Sequence, residues 1–538
     1  MARVLVTEKI ADRGLELLSE AGHDVDVREG LSPGELLDVV AGAHALVVRS
    51  QTKVSAEVLA AGTDLVVVGR AGVGLDNVDV QAATARGVMV VNAPTSNILS
   101  VAEQAMGLLL AQARNIPQAH AALVAGRWER SRWEGVELYG KVLGIVGLGR
   151  AGSFVAARAA AFGMRILGHD PYVSAERARA LGVELRSLEE LFGESDFVTI
   201  HTPKTAETTG LVGRELLAKA KPGIRIVNTS RGGIVDEEAL YDALRSGTVA
   251  GAALDVFATE PPGPSPLFEL DNVVATPHLG ASTEEAQDKA GVTIAEQVLL
   301  ALAGDFVPFA VNLAASEVSD AVRPFMQLTE ELGRFFACLH DGLPDRLEVE
   351  YRGELAGHAT GILTLCALKG LFGSTAEEPV SYVNAPQVAE SRGLAVEEIS
   401  ASASPFYKSL VTLRSARHAV AGTLTGPGAR PEPRIVMVDD HTVELPPAEH
   451  MLVVHNDDRP GMIGVVGMAL GIDGISISSM AVGPSADGHS ALMVLSTSEP
   501  VPSELVEHLR HGDGILGIHA VSLSGLTSQR ANPGRRSR

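Results

Sequence analysis

Three polar residues close three consecutive apolar runs in the middle of the chain: Arg231 in IVNTSRGGIVDEEAL, Glu260 in ALDVFATEPP and His278 in VVATPHLGAS. Their types suit hydride removal from a secondary alcohol that also carries a carboxylate. The hydroxyl proton needs a base, and imidazole titrates near neutrality, so His278 is suited to act as base in oxidation and acid in reduction. A carboxylate beside that ring fixes its tautomer and favours the imidazolium formed on oxidation, which is the role open to Glu260. Arginine stays charged and presents a rigid fork, so Arg231 would clamp the acid group and polarise the adjacent carbonyl. Each residue also has an ordinary reading, as a helix ion pair, a solvated turn residue before Pro261, or one surface group among 16 histidines and 66 acids. Spacing alone does not choose between these.

A hydride needs an acceptor, and the stretch KVLGIVGLGRAGSFVAARAAAFGMRILGHD provides a place for one. Gly147, Gly149 and Gly152 follow an apolar strand and open an alanine-rich helix. In that context Gly147 allows a tight turn, Gly149 lets backbone approach a pyrophosphate and Gly152 lets the helix pack close to the sheet. The helix start, at Arg150 and Ala151, offers unpaired N–H groups and partial positive charge. Asp170 ends the next strand, 18 residues after Gly152, where a carboxylate accepts hydrogen bonds from a ribose. It would repel the 2′-phosphate of NADP, and neither Pro171 nor Tyr172 adds a cation, so the expected cofactor is NAD. The alternative is a glycine turn in an α/β protein that binds no nucleotide.

Positioning these groups requires parallel sheets, because ligands in open α/β folds lie beyond the carboxyl ends of the strands. Residues 1–95 alternate β-branched runs (VLVT, ALVVRS, LVVVGRAG, VMVVNAP) with helical stretches. The rhythm restarts at VLGIVGLGRAG and runs through RILGHD, FVTIHTP, RIVNTSRGG, AALDVFATEPP and NVVATPHLGAS, giving a second doubly wound sheet over 96–282. Both domains are expected to be Rossmann-like. From 311 to 447 the pattern loosens into an intervening α+β domain, and 448–525 reads βαββαβ, a ferredoxin-like module whose edge strand or helix-free face commonly pairs with a second copy. Residues 526–538 read as a frayed basic tail.

Composition sets the outer bounds. The 538 residues suffice for three or four domains, and 46% apolar with 20% charged residues is a globular balance. A net charge of −22 repels polyanions, so no nucleic-acid partner is expected and an anionic metabolite needs local arginines. No apolar stretch is long enough to span a bilayer, and the first residues lack a secretory h-region, so a soluble, cytoplasmic protein is expected. Two cysteines, Cys338 and Cys366, form no CxxC pair, and no metal is expected.

The segments GLGRAG, HTPKTAETTGLV, NTSRGGIVDEEALYDAL, GAALDVFATEPP and PHLGASTEEAQ, in this order, resemble the D-isomer-specific 2-hydroxyacid dehydrogenases, as do the upstream VGRAGVGLDNVD and GRWER. The resemblance covers about the first 310 residues, and the remainder is similar to the long form of the branch acting on phosphoglycerate, with its intervening domain and C-terminal ACT domain. It implies NAD-dependent oxidation of D-3-phosphoglycerate to 3-phosphohydroxypyruvate, the committed step toward L-serine, by a homo-oligomer, dimer or tetramer. It implies the roles of Arg231, Glu260 and His278 argued above, and a substrate-binding first domain completed by 283–310. Cofactor contacts are implied at Val73, Arg150, Ala151, Asp170, Thr202, Thr229, Ser230, Arg231, Asp255, His278, Gly280 and Ala281.

A phosphorylated hydroxy acid is anionic at both ends and needs cationic or N–H-rich groups beyond Arg231 and His278. Candidates are Arg49 and Ser50 after ALVV, Arg70 and Gly74 at the AGVG turn, and Asn97 before a helix. The resemblance places substrate contacts around these loops and, from a neighbouring subunit, on Arg130, which Trp128 and Trp133 flank in a candidate dimer interface. For the ACT domain it implies a serine effector near Asn456, Asp458 and Ser476, the last replacing a usual asparagine with a shorter side chain. The alternative is an ACT module that only assembles subunits. Two other overall readings stay open: a dehydrogenase of an unphosphorylated acid such as glycerate, and a regulator that binds NAD without turnover.

Overall fold

Apolar runs without polar partners are satisfied between two helical layers, and the first half of the chain builds two such sandwiches. In the computed structural model, residues 1–313, 318–340, 342–373, 380–404, 406–426, 431–485 and 489–523 are described, so the expected tail 526–538 lies outside the described residues. The first sheet contains β1 (Arg3–Val6), β2 (Asp24–Val27), β3 (Ala45–Val48), β4 (Val67–Arg70) and β5 (Met89–Val91). All are parallel, in the order β2-β1-β3-β4-β5. Four of them are the apolar runs named above. The fifth, β2, reads DVDV and lies at the edge, where one solvated face lets acids alternate with valines and hides the strand from a search for apolar runs.

The helix Glu284–Ala303 returns from the second sheet to this one, burying Ile294 and Val298 with Val4, Val6, Val47 and Val67. Gly69 makes that approach possible, since a Cβ there would stand 2.8 Å from Ile294.

The second sheet holds β6 (Val142–Val146), β7 (Arg165–His169), β8 (Glu184–Leu185), β9 (Phe197–Ile200), β10 (Ile224–Asn228), β11 (Val249–Leu254) and β12 (Val273–Ala275). Its order is β12-β11-β10-β9-β6-β7-β8, all parallel. Six apolar runs point to six strands; the seventh, β8, is two residues long and too short to carry a pattern. The order reverses at β6, so a crevice opens between the carboxyl ends of β6 and β9.

The third sheet is mixed, in the order Ala395–Ala401, Arg346–Gly353, Ser409–Arg414, Ala419–Thr425, Glu432–Val438 and His441–Leu445, with only the first pair parallel. The C-terminal module is an antiparallel sheet ordered Ile477–Pro484, Ser490–Thr497, His450–Asp457 and Ile515–Ser522. With helices Met462–Ile472 and Ser503–Arg510 it follows βαββαβ. Its helix-free face does not wait for a second copy. Met451, Val453, Leu492, Val494 and Val521 continue the core of the intervening domain with Phe336, Leu339 and Val443. Cys338 and Cys366 are free, and burial pushes both thiols up, so neither is poised as a nucleophile.

Imidazoles gather where these two units join. His340 lies 4.8 Å from His418 and His418 lies 5.9 Å from His519, while His441 lies 4.9 Å from His455, ring centre to ring centre. Asp439 accepts from His418 at 2.9 Å and Arg417 lies nearby. Burial, then neighbouring imidazoles, lower His455, and burial likewise lowers His340. A histidine lowered on folding favours the folded state while neutral, and that contribution is lost as pH falls below the ordinary imidazole value of about 6.5. Between pH 7 and pH 5, the amide protection factors in strands His450–Asp457 and Ile515–Ser522, which allow for the slower intrinsic exchange at lower pH, are expected to fall in the wild type and to fall less in His455→Gln. Equal slopes in both proteins would remove His455 from the account.

Candidate active site

The glycine loop between β6 and the helix Arg150–Ala161 divides its work as chemistry requires. Gly147 has φ 95°, and a Cβ there would stand 2.7 Å from His201 O at the end of β9. A Cβ on Gly152 would overlap Gly147 O, so helix and loop touch directly. A Cβ on Gly149 would meet nothing within 4 Å, which leaves the helix N-terminus at Arg150 and Ala151 open to a phosphate. Asp170, at the end of β7, accepts from Leu148 N at 2.8 Å and so shapes the loop it borders. Thr202 and Thr229, after β9 and β10, each bury a hydroxyl oxygen that no protein group meets. Open space at the helix start and two buried hydroxyls along one crevice fit a dinucleotide.

Beyond β11 and β12 lies the proposed acid–base pair. His278 Nδ1 and Glu260 Oε2 are 2.7 Å apart, and Phe257 N donates to the other Glu260 oxygen at 3.0 Å. His278 has φ 55°, a left-handed conformation that costs a residue with a side chain roughly 1–2 kcal/mol and needs support. Asp255 supplies it. Fully buried, its carboxylate accepts from Thr276 Oγ1 at 2.5 Å, Leu279 N at 2.8 Å and Gly280 N at 2.8 Å, and its carbonyl accepts from His278 N at 2.9 Å. Asp255 therefore positions the loop that bears His278 and neighbours Gly280 and Ala281.

Arg231 follows β10 in a loop pinned by Asn228, whose Oδ1 accepts from Ser230 N and Oγ and whose amide donates to Arg231 O. A Cβ on Gly232 would overlap Phe257 O, so this loop presses against the one holding Glu260. Across the cleft from the first sheet come Gly74 and Arg70. A Cβ on Gly74 would collide with the Arg231 guanidinium, and Asp76 contacts Arg231 Nε at 3.3 Å. Burial, and then the charge of Arg231, push the Arg70 guanidinium down to about 10; Arg49 adds to that repulsion, while Asp76 and Glu8 oppose it. Arg70 Nε is buried without a partner. Three arginines thus share one cleft with too little carboxylate, an arrangement that favours an anion. Arg49 is held through Glu8, which accepts from Arg49 N at 2.9 Å and Thr52 N at 2.8 Å.

Comparison with known proteins agrees with this geometry. Residues 106–280 match the NAD-binding domain of D-isomer specific 2-hydroxyacid dehydrogenases, 321–439 the D-3-phosphoglycerate dehydrogenase intervening domain and 450–510 the ACT domain. A D-3-phosphoglycerate dehydrogenase of Mycobacterium tuberculosis is 49% identical over 93% of this chain and 96% of its own length. The chain belongs to the D-3-phosphoglycerate dehydrogenase family. Another member, from Methanocaldococcus jannaschii, is 43% identical over 97% of this chain and all of its own. A solved structure of a Thermus thermophilus protein aligns with 57% of this chain and 99% of its own at TM-score 0.54 and 39% identity. The NAD-binding and ACT domains of this family member fit small-molecule substrate and effector binding. Among the described residues no helix is long and apolar enough to cross a membrane.

Other expected site residues lie apart or stay uncommitted. Val73 O accepts from Asn92 at 2.7 Å, Ser50 is exposed at the end of β3, and Asn97 opens the helix Ile98–Ala113 without a capping bond. Arg130 is exposed, as is the nearby Trp128. Asn456 is 3% exposed and donates to Asp457 O at 2.7 Å, so within one chain it is closed, whereas Asp458 and Ser476 are exposed. Sequence reasoning misses Glu8, Asp76, Asn228, Gln104 and Thr276, which hold other groups in place and carry no motif of their own, although Asp76 sits in VGRAGVGLDNVD, Asn228 in IVNTSRGGIVDEEAL and Thr276 in VVATPHLGAS.

The two glycines separate binding from stability. Gly149→Ala is expected to keep the wild-type melting temperature while raising the NADH dissociation constant about tenfold, a loss of about 1.4 kcal/mol. Gly152→Ala should instead lower stability by about 1–3 kcal/mol through overpacking. Fluorescence titration with NADH and thermal melts check both.

Proposed function

We propose that this protein uses NAD to oxidise D-3-phosphoglycerate to 3-phosphohydroxypyruvate, the committed step toward L-serine. The observation that carries this reading is one cleft with the His278–Glu260 pair and Arg231 on the side of the second sheet and the under-compensated Arg70 guanidinium on the side of the first. Bound NAD supplies the hydride acceptor. Glu260 as a carboxylate only accepts, so His278 Nδ1 carries the proton and Nε2 keeps its lone pair. Nε2 takes the hydroxyl proton as the carbon-bound hydrogen leaves with its electron pair, and the imidazolium rests against Glu260; in reduction the proton returns. Arg231 exchanges its long, exposed contact with Asp76 for the substrate carboxylate. Arg70 and Arg49, with Ser50, Gly74 and Asn97 around them, take the phosphate.

The same reading assigns Arg130 to a neighbouring subunit's site in a homo-oligomer, and Asn456, Asp458 and Ser476 to a serine-binding interface of the ACT domain. A net charge of −22 supports an enzyme that binds no nucleic acid, and the reading places it in the cytoplasm.

NADH absorbance with NAD and a panel of D-2-hydroxy acids tests the assignment, with D-3-phosphoglycerate expected to exceed D-glycerate and D-lactate by about 10² or more in kcat/KM. Equal turnover of unphosphorylated acids would move the substrate, and NAD binding without turnover would replace the enzyme by a sensor. His278→Ala is expected to lower kcat by about 10²–10⁴ with NADH still bound. Arg70→Gln should raise KM for the phosphorylated acid about 10- to 100-fold, matching the roughly 1.5–3 kcal/mol of a charged hydrogen bond. A KM unchanged in Arg70→Gln would move the phosphate elsewhere.

A further inference from the structure

Asp255 holds the His278 loop from the sheet side, but that loop also rests on a helix. Gln104 Nε2 donates to Thr276 Oγ1 at 3.3 Å, on the same hydroxyl that donates to Asp255. Ser100 and Thr283 share a hydroxyl–hydroxyl bond at 2.8 Å. Between them, Val101 Cγ2 lies 3.4 Å from where a Cβ on Gly280 would stand. Residues 100, 101 and 104 fall within one arc of the helix Ile98–Ala113 and touch the start, middle and end of residues 276–283.

This helix occupies a particular place in the chain. The first sheet ends with β5, and the chain enters the second domain just before Ile98. It leaves again at Thr283, which caps the returning helix Glu284–Ala303 by accepting from Ala286 N at 3.2 Å. The Ser100–Thr283 bond therefore ties both crossings together. Arg49 and Arg70 stand on one side of these crossings, and Arg231 and His278 on the other.

We infer that Ser100 and Gln104 are positioning residues: through Thr283 and Thr276 they hold the His278 loop against the inter-domain helix, so that the relation of the two domains sets the placement of the imidazole. This rests on His278 as the base. Their assigned role is on the loop, not on substrate or cofactor. Their effect runs through a left-handed backbone that neighbours must hold, and a misplacement of about 1 Å at a reacting group can cost about 10²-fold in rate.

Amide exchange of Leu279 and Gly280 in the ligand-free full-length protein, with kcat, KM and NADH affinity, tests this. Gln104→Leu is expected to speed that exchange several-fold and lower kcat about tenfold, with NADH affinity within twofold of wild type. Ser100→Ala should act in the same direction and provides the second perturbation should Gln104→Leu fail to fold, while Ser100→Thr keeps the hydroxyl and should restore kcat to within about threefold. In a Thr276→Val background, Gln104→Leu should add little, because its partner is already gone. Wild-type exchange and kcat in both Gln104→Leu and Ser100→Ala, or fully additive losses with Thr276→Val, overturn the inference. If His278→Ala retains turnover, the base assignment fails instead, and that result is distinct from a working base whose loop ignores Ser100 and Gln104.

Discussion

A carboxylate with no exposed surface organises the catalytic edge of this molecule. A buried charge is tolerated only where hydrogen bonds replace its lost hydration, and Asp255 obtains them from Thr276, Leu279 and Gly280, all in the loop after β12. The same bonds hold His278 at φ 55° and leave its ring facing Glu260. Because β10, β11 and β12 are adjacent and parallel, Arg231, Glu260 and His278 emerge at one edge despite their separation along the chain. The chemistry is thus presented by short loops, but the loops are fixed by the sheet below.

The charge of the cleft runs against the charge of the whole. In a chain of net charge −22, Arg49, Arg70 and Arg231 converge, and Arg70 is buried deeply enough to lower its proton affinity. Mutual repulsion of this kind is relieved by an anion, so part of the binding energy of a doubly anionic substrate is stored in the ligand-free cleft. Asp76 and Glu8 moderate it without neutralising it, and the exposed Asp76 is the weaker partner, displaced at least cost.

The C-terminal half follows a different logic. The ACT sheet places one face under its own helices and the other in a core shared with the intervening domain, so the two units are one packed body on that side. An effector at the ACT domain would act on this shared core, and protonation of the imidazoles along the junction, His455 among them lowered by burial, would loosen its packing.

Much of this was legible from residue types and order. Apolar runs that end in Gly, Thr or a charge mark parallel strands, and Gly147, Gly149, Gly152 and Asp170 mark the nucleotide crevice, because local backbone geometry and periodicity are written in consecutive residues. Edge strands such as β2 and β8 were hidden, since a solvated or very short strand needs no apolar run. Side chains that act on other side chains were hidden too. Thr276, Gln104, Asn228 and Asp76 are ordinary polar residues in sequence, and only the packing of distant segments gives each its partner. The chain by itself determined which groups could do the chemistry and the order of the strands that carry them; tertiary structure decided which polar atoms meet, because hydrogen bonds and buried charges depend on distances in space that sequence separation does not encode.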